Sequence, residues 1–282
     1  MKYYMLIIFS VLFIEADVYS QNDNTYSQDS ISITYIANAG FLVEMNGKKI
    51  VFDGFFKDGF GKYDFPDSNL IFQMTNSQAP LDSIDMIFVS HYHGDHFNSS
   101  LITGYLTKNQ NTRLVCPEQV NNILQKDNVR YRLIKDQIII VAPEPNSCLS
   151  VIYNDFVVTA CRLWHGRKEN NDIENIGYIL KYRDRSIFHS GDATLADFDG
   201  INGYIASCKI DIAVLHNSFG SINLIKHTDS LVNADNYIFM HLTDEYANMF
   251  HSYFKQNPEL INNPHIFREQ METKIYRFKR SK

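Results

Sequence analysis

Apolar and polar positions alternate in short bursts along this chain, and most bursts end at glycine, asparagine, aspartate or proline. Ile31-Ser32-Ile33-Thr34-Tyr35 and Gly40-Phe41-Leu42-Val43-Glu44 read as strands, and the folded part is expected to begin at Ile31. Asn46-Gly47 predicts a type I′ turn into a third strand, Lys49-Ile50-Val51-Phe52-Asp53. Met86-Ile87-Phe88-Val89 is a continuous apolar run, as a buried strand requires. Asn98-Ser99-Ser100 offers N-cap chemistry for a helix over 99–108. Arg113 to Cys116 and a helix started by Pro117, running to about Lys126, make a βα unit. Strands are expected near Tyr131–Ile134 and Ile138–Val141, then Pro143-Glu144-Pro145-Asn146 marks a turn between two structural halves. Phe156 to Leu163, Ser186 to His189 and Asn236 to Met240 read as further strands. A helix over 245–256 and a strand near Lys274–Phe278 complete the pattern.

The second half echoes the first. Gly40, Phe41, Ile50 and Gly54 are matched by Gly177, Tyr178, Ile187 and Gly191, a constant offset of 137 (177 less 40). Ile84-Asp85-Met86-Ile87-Phe88-Val89 is matched again by Ile210-Asp211-Ile212-Ala213-Val214-Leu215. A hairpin followed by a buried strand thus occurs twice, which points to two similar αβ halves. The connection from Gly54 to Pro80 carries Phe55, Phe56, Phe60, Tyr63, Phe65 and Phe72. Such a segment either packs on its own rings or forms a wall of a pocket.

Composition narrows the picture. With 45% hydrophobic residues and 13% aromatics the chain can bury a substantial core. A formal charge of −6, without any Lys/Arg-rich run, leaves no electrostatic footprint for nucleic acid. Residues 1–20 hold Lys2, then a twelve-residue apolar run from Tyr3 to Ile14, and end at small Ser20. That is the pattern of a secretory signal peptide, too short for a bilayer crossing of about 20 residues. The expectation is an exported, periplasmic or secreted protein without stable membrane insertion, a flexible lead-in over 21–30 and one domain over 31–282. An uncleaved anchor is the alternative. Cys116, Cys148, Cys161 and Cys208 lack C-x-x-C spacing, and their disulfide state is open.

The chemistry concentrates in Ser90-His91-Tyr92-His93-Gly94-Asp95-His96, directly after the buried run. In an extended segment residues i and i+2 point the same way, so His91 and His93 can grip one ion, leaving Asp95 and His96 for a second. Imidazole and carboxylate together suit Zn²⁺ best, with Fe or Mn favoured as oxygen ligands accumulate.

This motif resembles the signature of the metallo-β-lactamase superfamily, αββα-sandwich hydrolases that usually hold two metals. The resemblance implies where further ligands fall: His165 after Phe156–Leu163, Asp192 in the Gly-Asp pair after Ser186–Ser190, and His241 at the end of Asn236–Met240. By match to the family, His91, His93 and His165 hold the first metal, Asp95, His96 and His241 the second, and Asp192 bridges them. Asp53 is the candidate acceptor behind a ligand imidazole. The opening Ile33-Thr34-Tyr35-Ile36 with Gly40–Glu44 is most similar to the branch of lactone hydrolases and N-acyl-phosphatidylethanolamine phospholipases. That branch commonly has Gly-His where this chain has Ala37-Asn38.

The resemblance implies a hydrolase using two divalent ions and a bridging hydroxide to cleave a small ester, lactone, amide or phosphodiester. The alternatives are a catalytically idle metal- or polymer-binding module, and a di-iron redox enzyme that needs an electron-transfer partner. Asp95 and His216 are the candidate catalytic groups, and Trp164 and Asn217 the candidate pocket residues. His216 stands where the family often has proline. It is expected to touch substrate or protonate the leaving group, with capping of the strand through a backbone carbonyl as the alternative.

Overall fold

The computed structural model describes residues 30–127, 129–166, 172–195 and 201–278. The first sheet is built from β1 (Ser30–Ala37), β2 (Gly40–Met45), β3 (Lys48–Phe52), β4 (Met86–Phe88), β5 (Arg113–Cys116) and β6 (Ile138–Ile140). The second half supplies β7 (Cys148–Tyr153), β8 (Phe156–Leu163), β9 (Asn175–Tyr182), β10 (Arg185–His189), β11 (Ile210–His216), β12 (Ala234–Met240) and β13 (Pro264–His265). β14 (Thr273–Arg277) returns to the first sheet, so the orders are β14-β1-β2-β3-β4-β5-β6 and β13-β12-β11-β10-β9-β8-β7.

The repeat read from the sequence is real in three dimensions. In each half an antiparallel hairpin, β2–β3 or β9–β10, is followed by strands added in parallel, β4 and β5 or β11 and β12. Asn46 and Gly47 both have positive φ, as a type I′ turn demands. The proline-marked turn at 143–146 separates the sheets as expected, and β1 starts at Ser30, one residue before the expected start.

The inner faces of the sheets share one core, in which Ile33, Phe41, Ile50, Phe52 and Phe88 meet Val158, Tyr178, Ile187, Ile212 and Ile238. Two further clusters cover the outer faces. One joins the first sheet to α1 (Ser68–Asn76), α2 (Ser99–Lys108), α3 (Glu118–Asp127) and α4 (Tyr131–Ile134). The other joins the second sheet to α5 (Asn202–Ser207), α6 (Ile225–Val232) and α7 (Asp244–Gln256). The layers are therefore αββα, and the central strands of each sheet are buried on both faces, which explains the continuous apolar runs of the parallel strands.

Several elements differ from the sequence reading. Tyr131–Ile134 is one turn of helix, not a strand: only Ile134 of the four is buried, so there is no alternating face for a sheet to cover. The aromatic connection contains α1, capped by Asp67, whose carboxylate accepts from Leu70 N. Cys148 and Cys161 form a disulfide across the β7–β8 pair, where they lie directly opposite, while Cys116 is buried and free. Among the described residues no helix is long and apolar enough to cross a membrane, and the expected signal segment lies outside those residues.

Candidate metal centre

The site gathers at the C-terminal ends of β3, β4, β8, β10, β11 and β12. After β4 the chain turns tightly, with His96 N and Phe97 N both donating to His93 O, and Asn98 then caps α2 through Leu101 N. The loop is fastened across to the second sheet, because Ser90 O accepts from Ile176 N and Val89 O from the Tyr178 hydroxyl. Gly191 meets it from that side. Its φ is +55°, and a Cβ there would sit 2.8 Å from Ser90 Cβ and 2.4 Å from Asn175 Oδ1, so glycine is required before Asp192.

Asp192 is the centre of the cluster. Its Oδ1 lies 3.2 Å from His96 Nε2, and its Oδ2 lies 3.3 Å from His241 Nε2, 3.4 Å from His165 Nε2 and 3.9 Å from His91 Nε2. Among the described residues four groups have ligand atoms mutually within 4.8 Å: His91, His93 and His165; His91, His96 and Asp192; Asp95, His96 and His241; and Asp192, His216 and His241. Ligands about 2.0–2.2 Å from a common ion fall within such a spread. His91 Nε2 is buried without a hydrogen-bond partner, although a buried imidazole nitrogen normally finds one. A cation supplies what it lacks, so the residues fit metal ions.

Asp53 decides which imidazole nitrogens are free. Its Oδ2 is 2.9 Å from His96 Nδ1, and a carboxylate only accepts, so that nitrogen carries a proton and Nε2 is the one left for a cation. The same oxygen accepts the Ser90 hydroxyl at 2.6 Å, which leaves Ser90 Oγ to accept from His91 Nδ1 at 2.9 Å. His91 is thereby forced into the same tautomer. Asp53 itself is placed by φ +42° just after β3 and also receives Ser90 N at 2.7 Å.

Charge follows the packing. Burial, reinforced by His96, pushes His91 well below the usual histidine range, and burial with His165 lowers His93, so both are neutral donors. Burial opposes charge at His96 as well, yet Asp192 and Asp53 hold it well above that range; a cation would replace its proton. Asp192 is buried, which disfavours its ionised form, but His241 and His96 keep its carboxyl well below the ordinary carboxylate range.

His216 ends β11 inside this cluster: one of its nitrogens lies within 4.8 Å of ligand atoms of Asp192 and His241, and its ring is 5.0 Å from that of His241. It does cap, but not through a carbonyl. Nδ1 accepts from Ser218 N at 3.2 Å. Burial lowers its pKa to about 4. Asn217 donates its amide to His241 O and so supports the end of β12. Trp164 stands half-buried between β8 and His165.

Asn38 was not legible as a contributor in the sequence, whereas Tyr63 belongs to the aromatic connection read there as self-packing or as a pocket wall. Asn38, in left-handed conformation, donates from Nδ2 to Asp95 Oδ2 at 3.2 Å, while Asp95 Oδ2 also lies 3.1 Å from His241 Nε2. It occupies the place of the histidine common in the resembling branch. Tyr63 lays its ring 4.0 Å from that of His241, with Lys62 Nζ 4.7 Å from the Tyr63 ring centre. Phe60, 58% exposed, sits opposite Gly94. The aromatic connection therefore buries Phe55 and Phe56 and turns Phe60 and Tyr63 over the metal loop.

The comparisons agree with this geometry. Residues 49–221 match the family described as the Beta-lactamase superfamily domain. The chain is 25% identical over 174 residues to a UPF0173 metal-dependent hydrolase from Carboxydothermus hydrogenoformans, a match that covers 58% of this chain and 63% of that relative. Its fold is similar to Igni18, a metallo hydrolase from the archaeon Ignicoccus hospitalis, with TM-score 0.63 and 16% identity, over 89% of this chain and 100% of that one. It is also similar to CmlA, a diiron beta-hydroxylase from Streptomyces venezuelae, with TM-score 0.57 and 11% identity, over 89% of this chain and 54% of that one. The His and Asp cluster at one end of a two-sheet sandwich and the family match over more than half the chain lead to one conclusion: the chain belongs to the metallo-β-lactamase superfamily.

Proposed function

We propose that this protein is an exported dinuclear metal hydrolase, loaded with zinc, that cleaves a small ester, lactone, amide or phosphodiester. The observation that carries the reading is the single carboxylate of Asp192, with His96 on one oxygen and His165 and His241 on the other. One residue facing histidines from both proposed ligand sets suits a bridge between two ions. His91, His93 and His165 would hold one ion, and Asp95, His96 and His241 the other. Five imidazoles with two carboxylates favour zinc over the harder cations.

When bound, paired cations supply Lewis acidity and a water acidic enough to react near neutral pH. The chain's own residues do the rest. Asp53 fixes His91 and His96 with their lone pairs toward the ions, Asn38 steadies Asp95, and Asn217 holds the backbone at His241. Phe60 and Tyr63 offer an apolar wall on the open side. A disulfide at Cys148–Cys161 agrees with an oxidising compartment, and hence with removal of residues 1–20 on export.

The test is elemental analysis of the purified mature protein with a hydrolysis screen over lactones, thioesters, phosphodiesters and β-lactams. Two equivalents of zinc and turnover of at least one class are expected. The fold shared with CmlA makes iron the informative contrary result: iron in the site without hydrolysis would replace this reading by a di-iron redox centre.

A further inference from the structure

We propose that His216 presents its Nε2–H as a fixed hydrogen-bond donor to the substrate oxygen that gains negative charge during hydrolysis, and is not a metal ligand. The inference rests on the hydrolase reading for its substrate, but its tautomer argument stands on hydrogen bonds alone. A backbone amide can only donate, and Ser218 N lies 3.2 Å from His216 Nδ1. Nδ1 must therefore be the lone-pair nitrogen, and the Ser218 hydroxyl, 2.9 Å away, donates to it as well. A neutral imidazole so engaged carries its hydrogen on Nε2. His91 and His96 are turned the opposite way, each engaging its hydrogen-bond partner through Nδ1 and leaving Nε2 for a cation. Within one cluster the protein thus prepares two imidazoles to bind cations and one to donate.

Placement supports the same role. The backbone N of His216 donates to Ser190 Oγ at 3.0 Å, which pins the end of β11 against the strand that leads to Asp192. The following turn, Asn217–Gly220, is the one capped by the His216 ring, so rotation of that ring would cost the turn its cap. His216 is partly exposed, whereas His91 and His96 are wholly buried. A positioned N–H facing a developing oxyanion typically contributes 10²- to 10³-fold in rate, roughly, without any change in protonation.

The experiment uses the mature protein labelled with ¹⁵N-histidine, first freed of metal and then loaded with zinc. Long-range ¹H–¹⁵N spectra, assigned with His216→Gln, should show His216 protonated at Nε2 and bare at Nδ1 both before and after zinc is added. A bare Nε2 after zinc addition would make His216 a ligand and overturn the proposal. His216→Ala, confirmed folded by its melting profile, should keep the wild-type zinc content. With p-nitrophenyl acetate or bis(p-nitrophenyl) phosphate as probe, its kcat should fall about 10²-fold or more with KM little changed. His216→Gln, which retains an N–H donor, should recover part of the loss. Loss of zinc, or unchanged kcat, in the alanine variant overturns the proposal. Wild-type protein inert toward both probes would tell against the hydrolase reading instead, and the tautomer spectra would still decide the donor from the ligand.

Discussion

The two halves of the molecule solve the same structural problem with the same parts and then part company at the site. At the start of each parallel pair an aspartate clamps the preceding hairpin. Asp85 accepts from Lys49 N at 3.0 Å and from Lys48 Nζ at 2.8 Å; Asp211 accepts from Ser186 N at 2.7 Å, with Arg185 Nη1 at 3.5 Å. The offset of 137 maps Lys48 and Lys49 onto Arg185 and Ser186. At the other end the equivalents are Asp53 and Ser190, receiving Ser90 N and His216 N respectively. A carboxylate in the first half can accept two more hydrogens and so set two imidazoles for metal. A hydroxyl in the second half cannot, since its own hydrogen goes to Gly191 O at 2.9 Å. One side-chain difference at matched positions separates the half in which a carboxylate orients two imidazoles from the half in which a hydroxyl only pins a strand end.

The largest effect should come where the halves meet. Asp192→Ala is expected to lose at least one metal ion, with a rate loss of about 10³-fold or more. Elemental analysis that still found two tightly held ions would remove Asp192 as the bridge. Next, the clamps differ in burial: Asp211 is fully buried, while the Asp85 side chain is 28% exposed. Asp211→Ala leaves Arg185 buried beside an empty place and should cost about 3–5 kcal/mol. Asp85→Ala should cost about 1 kcal/mol, its pairs being partly solvated. Equal shifts in the urea midpoints of the two variants would break the comparison.

Asp53→Asn sharpens it further. An amide can still accept, but it no longer fixes the tautomers of His91 and His96, and zinc affinity measured against a competing chelator should weaken about 10- to 100-fold. The smallest effect on the metal is expected for the matched residue. Ser190→Ala unmakes the acceptor for His216 N, and should lower stability by about 1–3 kcal/mol while leaving zinc affinity unchanged. If zinc weakened as much as in Asp53→Asn, Ser190 would have to serve the ligands after all.

What the sequence made legible followed from how local the signal was. The metal loop packs four ligand-type residues into six positions behind an apolar strand, and the later ligands each close a strand of their own. Asn38 and Tyr63 gave no such signal, because they reach the site from distant loops: Asn38 meets Asp95 across 57 positions. β7 went unread because it is an edge strand with exposed Leu149 and Ile152, which blurs the alternation. α1 buries only Leu70 and Met74 and leaves Phe72 outside, so its apolar residues do not mark one face. For α4, four residues are too few to tell one turn of helix from a strand.

Strand β14 has a consequence for the order in which this protein can be made. It pairs with β1, and Thr34 Oγ1 meets Thr273 Oγ1 at 2.8 Å across 239 positions. β1 therefore lacks its outer neighbour until nearly all the intervening chain has been synthesised, and the first sheet cannot close as it emerges. Pairing over such a span is slow and leaves a strand edge open meanwhile. A nascent chain that stays unfinished in this way also stays pliable, the condition in which a polypeptide can be threaded through a narrow translocation channel before it folds.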